Sequence, residues 1–447
     1  MKSSSKFFSN LGFVLTVAGA AIGLGNAWKF PTMTGTNGGS AFLLLFVGIS
    51  LSLGLVMFMA EIYVGKSTRL DLANAYCELG GKRRYKLGGI FMLGGVFVLS
   101  FYLVILSWVL AYVFLSFNIE PDIAKAGAKF GSLVKEPSLL AASCLAFCMM
   151  LTLYVVSKGI KSGIERFNVY ATPLLCLLLI AMLIYAAMQD GFLLALRFLF
   201  QPDFSKVTLE VALDALGLSM FTLCLGVGCI SAYAVALPEK HNVLKSTVIL
   251  VFIDIGTSLV MGLIIFTFIF EFNQDPAQQG VGLVFVSLVT LFAKMGSVGT
   301  VLAVTFFFAL FLAGITSAVS MIEPVTLFLE KEFKLSRAKA LSMLGALMAP
   351  LSILSMLSLH KGSSINLFGK SFFDCLDFLS SNIMLPSGVF FCAVFLGFVA
   401  DKSRLEAFFR PYFGAGFAAF YFFLRFVAPL FIAIVAVNNF YPLAKLF

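Results

Sequence analysis

Gly19-Ala20-Ala21-Ile22-Gly23-Leu24-Gly25-Asn26 lies inside an apolar run that covers residues 11–33. A helix facing lipid gains nothing from three glycines and an asparagine this close together, because each glycine costs a helix about 1 kcal/mol relative to alanine. A second cluster, Thr222-Leu223-Cys224-Leu225-Gly226-Val227-Gly228, interrupts another apolar run at 208–237, with Ser219 just before it. Small residues in membrane helices commonly serve close packing. Here polar groups share the depth of the glycines, and unwound backbone is tolerated inside a membrane only where it lines a cavity within the protein. Two broken helices meeting at mid-membrane are therefore expected. Their positive N-terminal ends would attract an anion and their freed carbonyls would attract cations.

The rest of the chain requires lipid as its solvent. Of 447 residues, 60% are hydrophobic and 12% are charged, against about 25% charged in soluble domains. That composition excludes a soluble enzyme, a secreted disulfide scaffold and a disordered protein. Apolar segments fall at 11–33, 40–65, 87–117, 138–157, 167–189, 208–237, 243–272, 299–329, 338–358, 375–400 and 410–440, which is eleven. Each reaches the length of about 20 residues that crosses a bilayer. Long apolar runs, rather than weak alternation, exclude an outer-membrane barrel. The stretch 277–296 is too short and too glycine-rich to cross and reads as an external loop with helical pieces. Lys2 and Lys6 precede the first run as in a signal peptide, but no small-x-small cleavage pattern ends it, so the first helix is expected to be retained. The eight cysteines show no CxxC spacing and are expected as free thiols.

The net charge of +9 needs no nucleic-acid partner. With the N-terminus inside, 20 Lys and Arg fall on the cytoplasmic side and nine outside, Lys29 and Arg425 being within or near spans. This split places the N-terminus in the cytoplasm and the C-terminus outside, in a multi-pass protein of the cell (inner) membrane. The expected fold is an all-α integral membrane protein of eleven transmembrane helices. An inverted five-plus-five repeat would make its helices 1 and 6 unwound at mid-membrane. Residues 1–447 are expected to form one membrane domain: 8–190 the first repeat, 208–400 the second and 410–440 an extra helix. His241 and His360 both lie in connections and no catalytic pairing shares a depth, so an enzyme is not expected.

The motif that runs from Gly19 to Pro31 (GAAIGLGNAWKFP), followed by Asn37-Gly38-Gly39, resembles the first-helix signature of the neurotransmitter:sodium symporter family. So do Glu61, Tyr102, Ser107-Trp108, Ser157 to Ile160, Gly163 to Phe167, Asp214, Phe221-Thr222, Ala313 to Ser317 and Asp374 to Phe378. The resemblance covers residues 8–440, and the bacterial leucine and multi-hydrophobic amino acid transporters share the layout. It implies two sodium ions. The first would be held by Ala21, Asn26, Thr222, Asp254 and the substrate carboxylate, the second by Gly19, Ile22, Ala313, Thr316 and Ser317. Neutral oxygens with few full charges suit a hard cation.

The resemblance also implies that the substrate carboxylate rests on Leu24 and Gly25 with Tyr102, and the amino group on carbonyls of Ala20, Phe221 and Thr222. Val98, Ala20, Cys224, Val227, Ser320 and Met321 would enclose the side chain. Amine-transporting relatives carry Asp where this chain has Gly23, so a ligand must bring its own carboxylate. The uncharged pocket implies neutral amino acids, hydrophobic or aromatic. Lys29 and Asp377 resemble an external gate, with Phe221 as the lid. Gly163 and Pro173 resemble a hinge in helix 5 that unwinds to admit water to the second sodium ion. Glu61 and Glu323 resemble buried acids of helices two and eight. Chloride-dependent members carry Asn at the position of Asp254, with Ser where Ser258 stands, so chloride is not expected to be required. Leu218 replaces a gate-supporting Gln and Lys331 replaces the acid of the internal gate. The N-terminal basic partner is shifted to Lys6, so no internal pair is assigned. The implied function is sodium-coupled amino acid import by alternating access. A sodium-dependent amino-acid-binding membrane sensor without significant transport stays open as the alternative. The preferred amino acid and the oligomeric state are not legible.

Overall fold

The computed structural model describes residues 9–277 and 282–440, which are almost wholly helical. The principal helices are α1 (Asn10–Ala21), α2 (Gly25–Thr36), α3 (Ser40–Thr68), α4 (Arg83–Asn118), α5 (Leu139–Ser157), α6 (Ile160–Ala186), α7 (Leu209–Thr222), α8 (Cys229–Ala234), α9 (Val243–Glu271), α10 (Gly296–Glu332), α11 (Arg337–Ser358), α12 (Phe372–Val399) and α13 (Lys402–Asn438). Among the described residues nine helices are long and apolar enough to cross a membrane. The pair α1 and α2, bent by 48° at its break, makes up to ten. The eleventh expected crossing would have to be α7 with α8, which have 14 and 6 residues and do not reach across singly. All eight cysteines are unbridged.

Helix ends agree with the apolar segments to within a few residues, except that α6 and α13 start seven to eight residues earlier. The pattern missed the connections. Leu72–Gly80, Ile123–Lys135 and Gly191–Phe200 are helices too short to cross. The Asp71 carboxylate caps the first, accepting from Asn74 N–H, and Asp122 caps the second, accepting from Ala124 and Lys125. Asn366–Leu367 and Lys370–Ser371 pair as a small antiparallel hairpin before α12. Leu283–Lys294 is helical, as expected of the pieces in 277–296, and Phe285 stacks on Phe130 of the second connecting helix at 4.9 Å. Residues 278–281 and the basic Lys2, Lys6 and Lys445 lie outside the described residues.

Packing brings the two breaks together. α1 lies along α6, α9 and α10, α4 along α10, and α3 along α8. Glycine makes the closest of these approaches. A Cβ on Gly65 of α3 would stand 2.0 Å from the Ser231 carbonyl oxygen of α8. A Cβ on Gly388 of α12 would stand 1.9 Å from the Gly226 carbonyl oxygen in the second break. Backbone meets backbone there, so no side chain can give way. Gly388→Leu is therefore expected to destabilise the fold by about 1–3 kcal/mol, read as a lower thermal midpoint of the purified protein in detergent. An unchanged midpoint would show that α12 can simply move aside.

Candidate binding site at the two helix breaks

The first break opens at Ile22 and Gly23, after the Ile22 N–H closes α1 on the Ala18 carbonyl. The chain then re-enters helix through a π turn at Gly25–Lys29. Carbonyls at the end of α1 have lost their helical partners. The Ser317 hydroxyl of α10 lies 3.2, 2.9 and 3.4 Å from the carbonyl oxygens of Gly19, Ala20 and Ile22. Thr316, the neighbouring residue, donates to Leu312 and Ala313 at 2.9 Å each. The five residues expected around the second sodium ion thus share one buried locus.

The second break ends α7 with a reversed turn in which Leu225 N–H reaches back to the Met220 carbonyl. The turn needs a left-handed residue, and Cys224 supplies it at φ +53° where glycine is usual. Gly226 and Gly228 follow at +89° and +77°. The Gly226 N–H has no helical acceptor, and the Glu61 carboxylate of α3 takes it at 2.6 Å. The Cys224 thiol donates to the Ala20 carbonyl at 3.0 Å, tying one break to the other.

Between the breaks stands Asp254 of α9, fully buried. Its carboxylate accepts from the Asn26 amide at 2.6 Å and from the Thr222 hydroxyl at 3.0 Å. No cationic side chain pairs with it among the described residues. The Asn26 nitrogen also donates to Ser258 at 2.9 Å, while the Asn26 oxygen accepts from Gly23 N–H at 3.1 Å. Asn26 thus presents nitrogen, not the expected oxygen, to Asp254. Turning the amide over exchanges the two ends without moving the backbone. A buried carboxylate among neutral groups is costly unless a cation or proton joins it.

The remaining predicted residues surround this centre. Leu24 N–H donates to the Tyr102 oxygen at 3.3 Å, and the Tyr102 hydroxyl also meets the Ser317 side chain. A Cβ on Gly23 would lie 2.7 Å from Ser317 Oγ and 3.3 Å from the Tyr102 oxygen, so the position has no room for a side chain. Gly94, one turn before Val98, faces Val227, and Gly95 faces the Met321 carbonyl. Ser320 is buried and donates to Thr316 O. Phe221 covers Gly25, where a Cβ would meet its ring at 3.0 Å. Lys29 Nζ sits 4.0 Å above the Phe221 ring and 3.8 Å from Asp377, whose carboxylate also accepts from Ser381 at 2.7 Å. Near this group a cavity of about 150 Å³ is lined by Asp214, Phe221 and Ser381. Asn37 joins Asp214 at 3.1 Å. A larger cavity of about 700 Å³ is lined by Arg69, Glu239, Glu323, Glu330 and Arg337.

Gly163 lies in a π-helical turn, Ile160–Glu165, and Pro173 within the helix that continues it, so the expected hinge is helical throughout. Glu323 is fully buried, and Arg337 binds it together with Glu330, at 3.1 Å, and the Val156 carbonyl, at 2.6 Å. That cluster and the link from Ser9 to Glu165 were not predicted. The readable signals were Glu323, expected as a buried acid, and Glu165, standing inside a family motif.

A profile of the sodium:neurotransmitter symporter family matches residues 4–132 and 123–446. The chain belongs to that family. It is similar to an uncharacterized sodium-dependent transporter of Bacillus subtilis, YhdH, at 36% identity over 96% of each chain. An uncharacterized sodium-dependent transporter of Haemophilus influenzae is 30% identical over 98% of each. Its fold matches the crystal structure of MhsT in complex with L-phenylalanine at a TM-score of 0.87 and 32% identity, over 97% of this chain and 99% of that one. The family is one of sodium-dependent transporters rather than enzymes, and this chain is a multi-pass membrane member of it.

Glu61 gives this geometry a direct check. Glu61→Gln keeps an acceptor for Gly226 N–H, whereas Glu61→Ala leaves that buried donor unpaired at a cost of about 1–3 kcal/mol. The alanine variant should melt well below the glutamine variant. Equal melting would mean that the carboxylate does not hold the break.

Proposed function

We propose that this transporter is a symporter that couples sodium entry to uptake of neutral amino acids with hydrophobic or aromatic side chains, without need of chloride. The observation that carries the reading is Asp254, a buried carboxylate with neutral partners only, set between two helix breaks. One sodium ion would sit at Asp254 with Asn26, Thr222, the Ala21 carbonyl and the substrate carboxylate. A second would sit among the carbonyls of Gly19, Ile22 and Ala313 and the hydroxyls of Thr316 and Ser317. Hard cations favour such oxygen ligands.

Gly23 offers no carboxylate to an ammonium group, so the ligand supplies its own. It would rest on the N–H groups of Leu24 and Gly25, at the positive end of α2, with the Tyr102 O–H donating. The Ala20 carbonyl would exchange the Cys224 thiol for the stronger ammonium donor. No charged residue is assigned to the side-chain pocket, and the likeness to MhsT, solved with L-phenylalanine, supports a large apolar ligand. Phe221 would close above the ligand beneath Lys29 and Asp377, with α7 and α8 together forming the eleventh crossing and the N-terminus in the cytoplasm.

With two sodium ions, each contributes about 2.3 kcal/mol at about 100 mV. An about tenfold sodium gradient adds about 1.4 kcal/mol per ion. The total of about 7 kcal/mol supports a roughly 10⁵-fold gradient of a zwitterion.

Uptake of labelled neutral amino acids into proteoliposomes tests the reading. Inward sodium should drive accumulation that sodium-free choline does not, with hydrophobic and aromatic residues ranked highest. Sodium-dependent binding without accumulation would favour the sensor. Replacing chloride by gluconate should leave uptake unchanged in the wild type. Asp254→Asn should weaken sodium activation by about tenfold or more, or make uptake depend on chloride, since the loss of a charge beside a cation amounts to at least about 1.4 kcal/mol. Chloride dependence in the wild type would remove that part of the proposal.

A further inference from the structure

Arg425 stands in the middle of the apolar run 410–440, where a cation is costly unless something receives its charge. The structure places it at the end of α12 instead of at mid-membrane. Within α13 the rings of Phe409 and Phe420 lie 4.6 Å apart and those of Phe413 and Phe420 4.8 Å apart. Phe409 and Phe420 on a straight helix would stand about 16 Å from one another. The chain therefore folds back at Gly414–Gly416, where Gly414 takes φ +52°. Lys402, the first residue of α13, is thereby brought to the ring of Tyr421. Arg425 lies at the same level, against Phe398, one residue before α12 ends at Val399. Long basic side chains at helix ends reach the headgroup layer of a bilayer.

The guanidinium has aromatic walls but no anion. Its carbon lies 4.6 Å from the Phe398 ring, 5.3 Å from Phe426 and 5.9 Å from Tyr421. Arginine carries five N–H donors. Here Nη1 reaches the Tyr421 oxygen at 3.5 Å, and Nε is buried without a hydrogen-bond partner. Tyr421 gives its own proton to the Gly397 carbonyl at 2.9 Å, so it meets Arg425 as an acceptor. Lys402 Nζ lies 5.2 Å from the same tyrosine ring. Neither cation forms an ion pair among the described residues. Asp401, next to Lys402, accepts from Ser403 N–H at 2.9 Å as the cap of α13. Phe398, Phe422 and Phe426 around the guanidinium are each about half exposed.

We propose that Arg425 and Lys402, with the Tyr421 ring between them, bind the phosphate of an anionic phospholipid whose acyl chains lie on Phe398, Phe422 and Phe426. The planar fork of arginine matches phosphate oxygens in pairs. Apolar walls strengthen that pairing by excluding water. Two cations without acidic partners complement a headgroup that carries net negative charge, and a zwitterionic headgroup would bring a choline cation against them. The exposed rings select an anion attached to hydrocarbon over a soluble one. None of these residues belongs to the two helix breaks, so the proposal stands apart from the sodium-coupled reading.

Full-length protein in detergent is titrated with phosphatidylglycerol or with phosphatidylcholine of the same chain length, and bound lipid is counted by native mass spectrometry. The wild type should bind phosphatidylglycerol about tenfold more tightly than phosphatidylcholine. Arg425→Gln should lower the phosphatidylglycerol affinity about tenfold, the effect of losing a charged hydrogen bond, and leave phosphatidylcholine within about twofold. Lys402→Gln changes an exposed residue and should lower it about fivefold, as the loss of one charge beside an anionic lipid does. Thermal midpoints in phosphatidylcholine check the fold of each variant, and if Arg425→Gln does not fold, Lys402→Gln decides. Glycerol phosphate, a headgroup without chains, should not displace the lipid at equal concentration. Displacement would make this a site for soluble anions and overturn the proposal. Equal affinity of the wild type for both lipids, or phosphatidylglycerol binding unchanged in the folded variants, would make Arg425 a brace between α12 and α13 and overturn it too. A wild-type dimer that Arg425→Gln splits, with lipid binding unchanged, would give this face to a second copy of the chain and likewise overturn it.

Discussion

Every backbone N–H and C=O that a membrane helix frees must find a partner inside the protein, and this constraint organises the molecule. At the first break the donor is Ser317, whose single hydroxyl lies within 3.4 Å of three carbonyls of α1. At the second, the acceptor is Glu61, which takes the Gly226 N–H. The two solutions differ chemically. One hydroxyl cannot donate fully to three carbonyls at once, so the first break retains surplus acceptor capacity that suits a cation. At the second break the carboxylate takes one N–H through Oε1, and its Oε2 is buried without a hydrogen-bond partner. The Cys224 thiol, a weak donor on the Ala20 carbonyl, bridges the two with little to lose on displacement.

Much of this was readable in the chain because it depends on residue types that have few other uses. Glycine clusters at the depth of Asn26 and Thr222 pointed to both breaks, and apolar length gave the helices nearly to their ends. The resemblance then named residues that the fold brings together: Asn26 with Asp254 and Thr222, Ser317 with Gly19 and Ile22, and Lys29 with Phe221 and Asp377. What stayed hidden depends on which face a polar residue turns to. Asn168 and Thr16 are ordinary in sequence, and only the approach of α1 to α6 shows their oxygens stranded. The direction of the Asn26 amide is likewise set by a local competition between Gly23 N–H and Asp254, which no spacing encodes. Short capped helices in the connections were missed because apolar length, the strongest signal in a membrane chain, is silent about segments that do not cross.

The two ends of the molecule are held with unequal strength. At the Phe221 end, Lys29 and Asp377 stand 3.8 Å apart with side chains 27% and 38% exposed. Exposed pairs of this kind contribute about 0–1 kcal/mol. The proposed closure at Phe221 would therefore depend chiefly on its ring against Gly25 and on the ammonium above it. A closure this weak would be shifted by modest ligand binding energy, as the proposed lid requires.

The opposite end is built otherwise. Arg337 at the start of α11 gathers Glu323 and Glu330 of α10 and the Val156 carbonyl of α5, which joins three helices into one body. Glu332, at the end of α10, adds Lys86 of α4 at 2.8 Å and Asn74 of the first connecting helix at 2.9 Å. Breaking the buried pair of Arg337 and Glu323 would strand a charge at a cost of about 3–5 kcal/mol, so this group resists separation. The Ser9 to Glu165 contact is lighter: two hydrogen bonds onto one oxygen, at the junction of α1 with a π turn, where Glu165, Asn168 and Thr172 press against the glycines of α1. Strong and weak contacts are thus unevenly placed at this end, the charge cluster on α5, α10 and α11 and the lighter contact between α1 and α6.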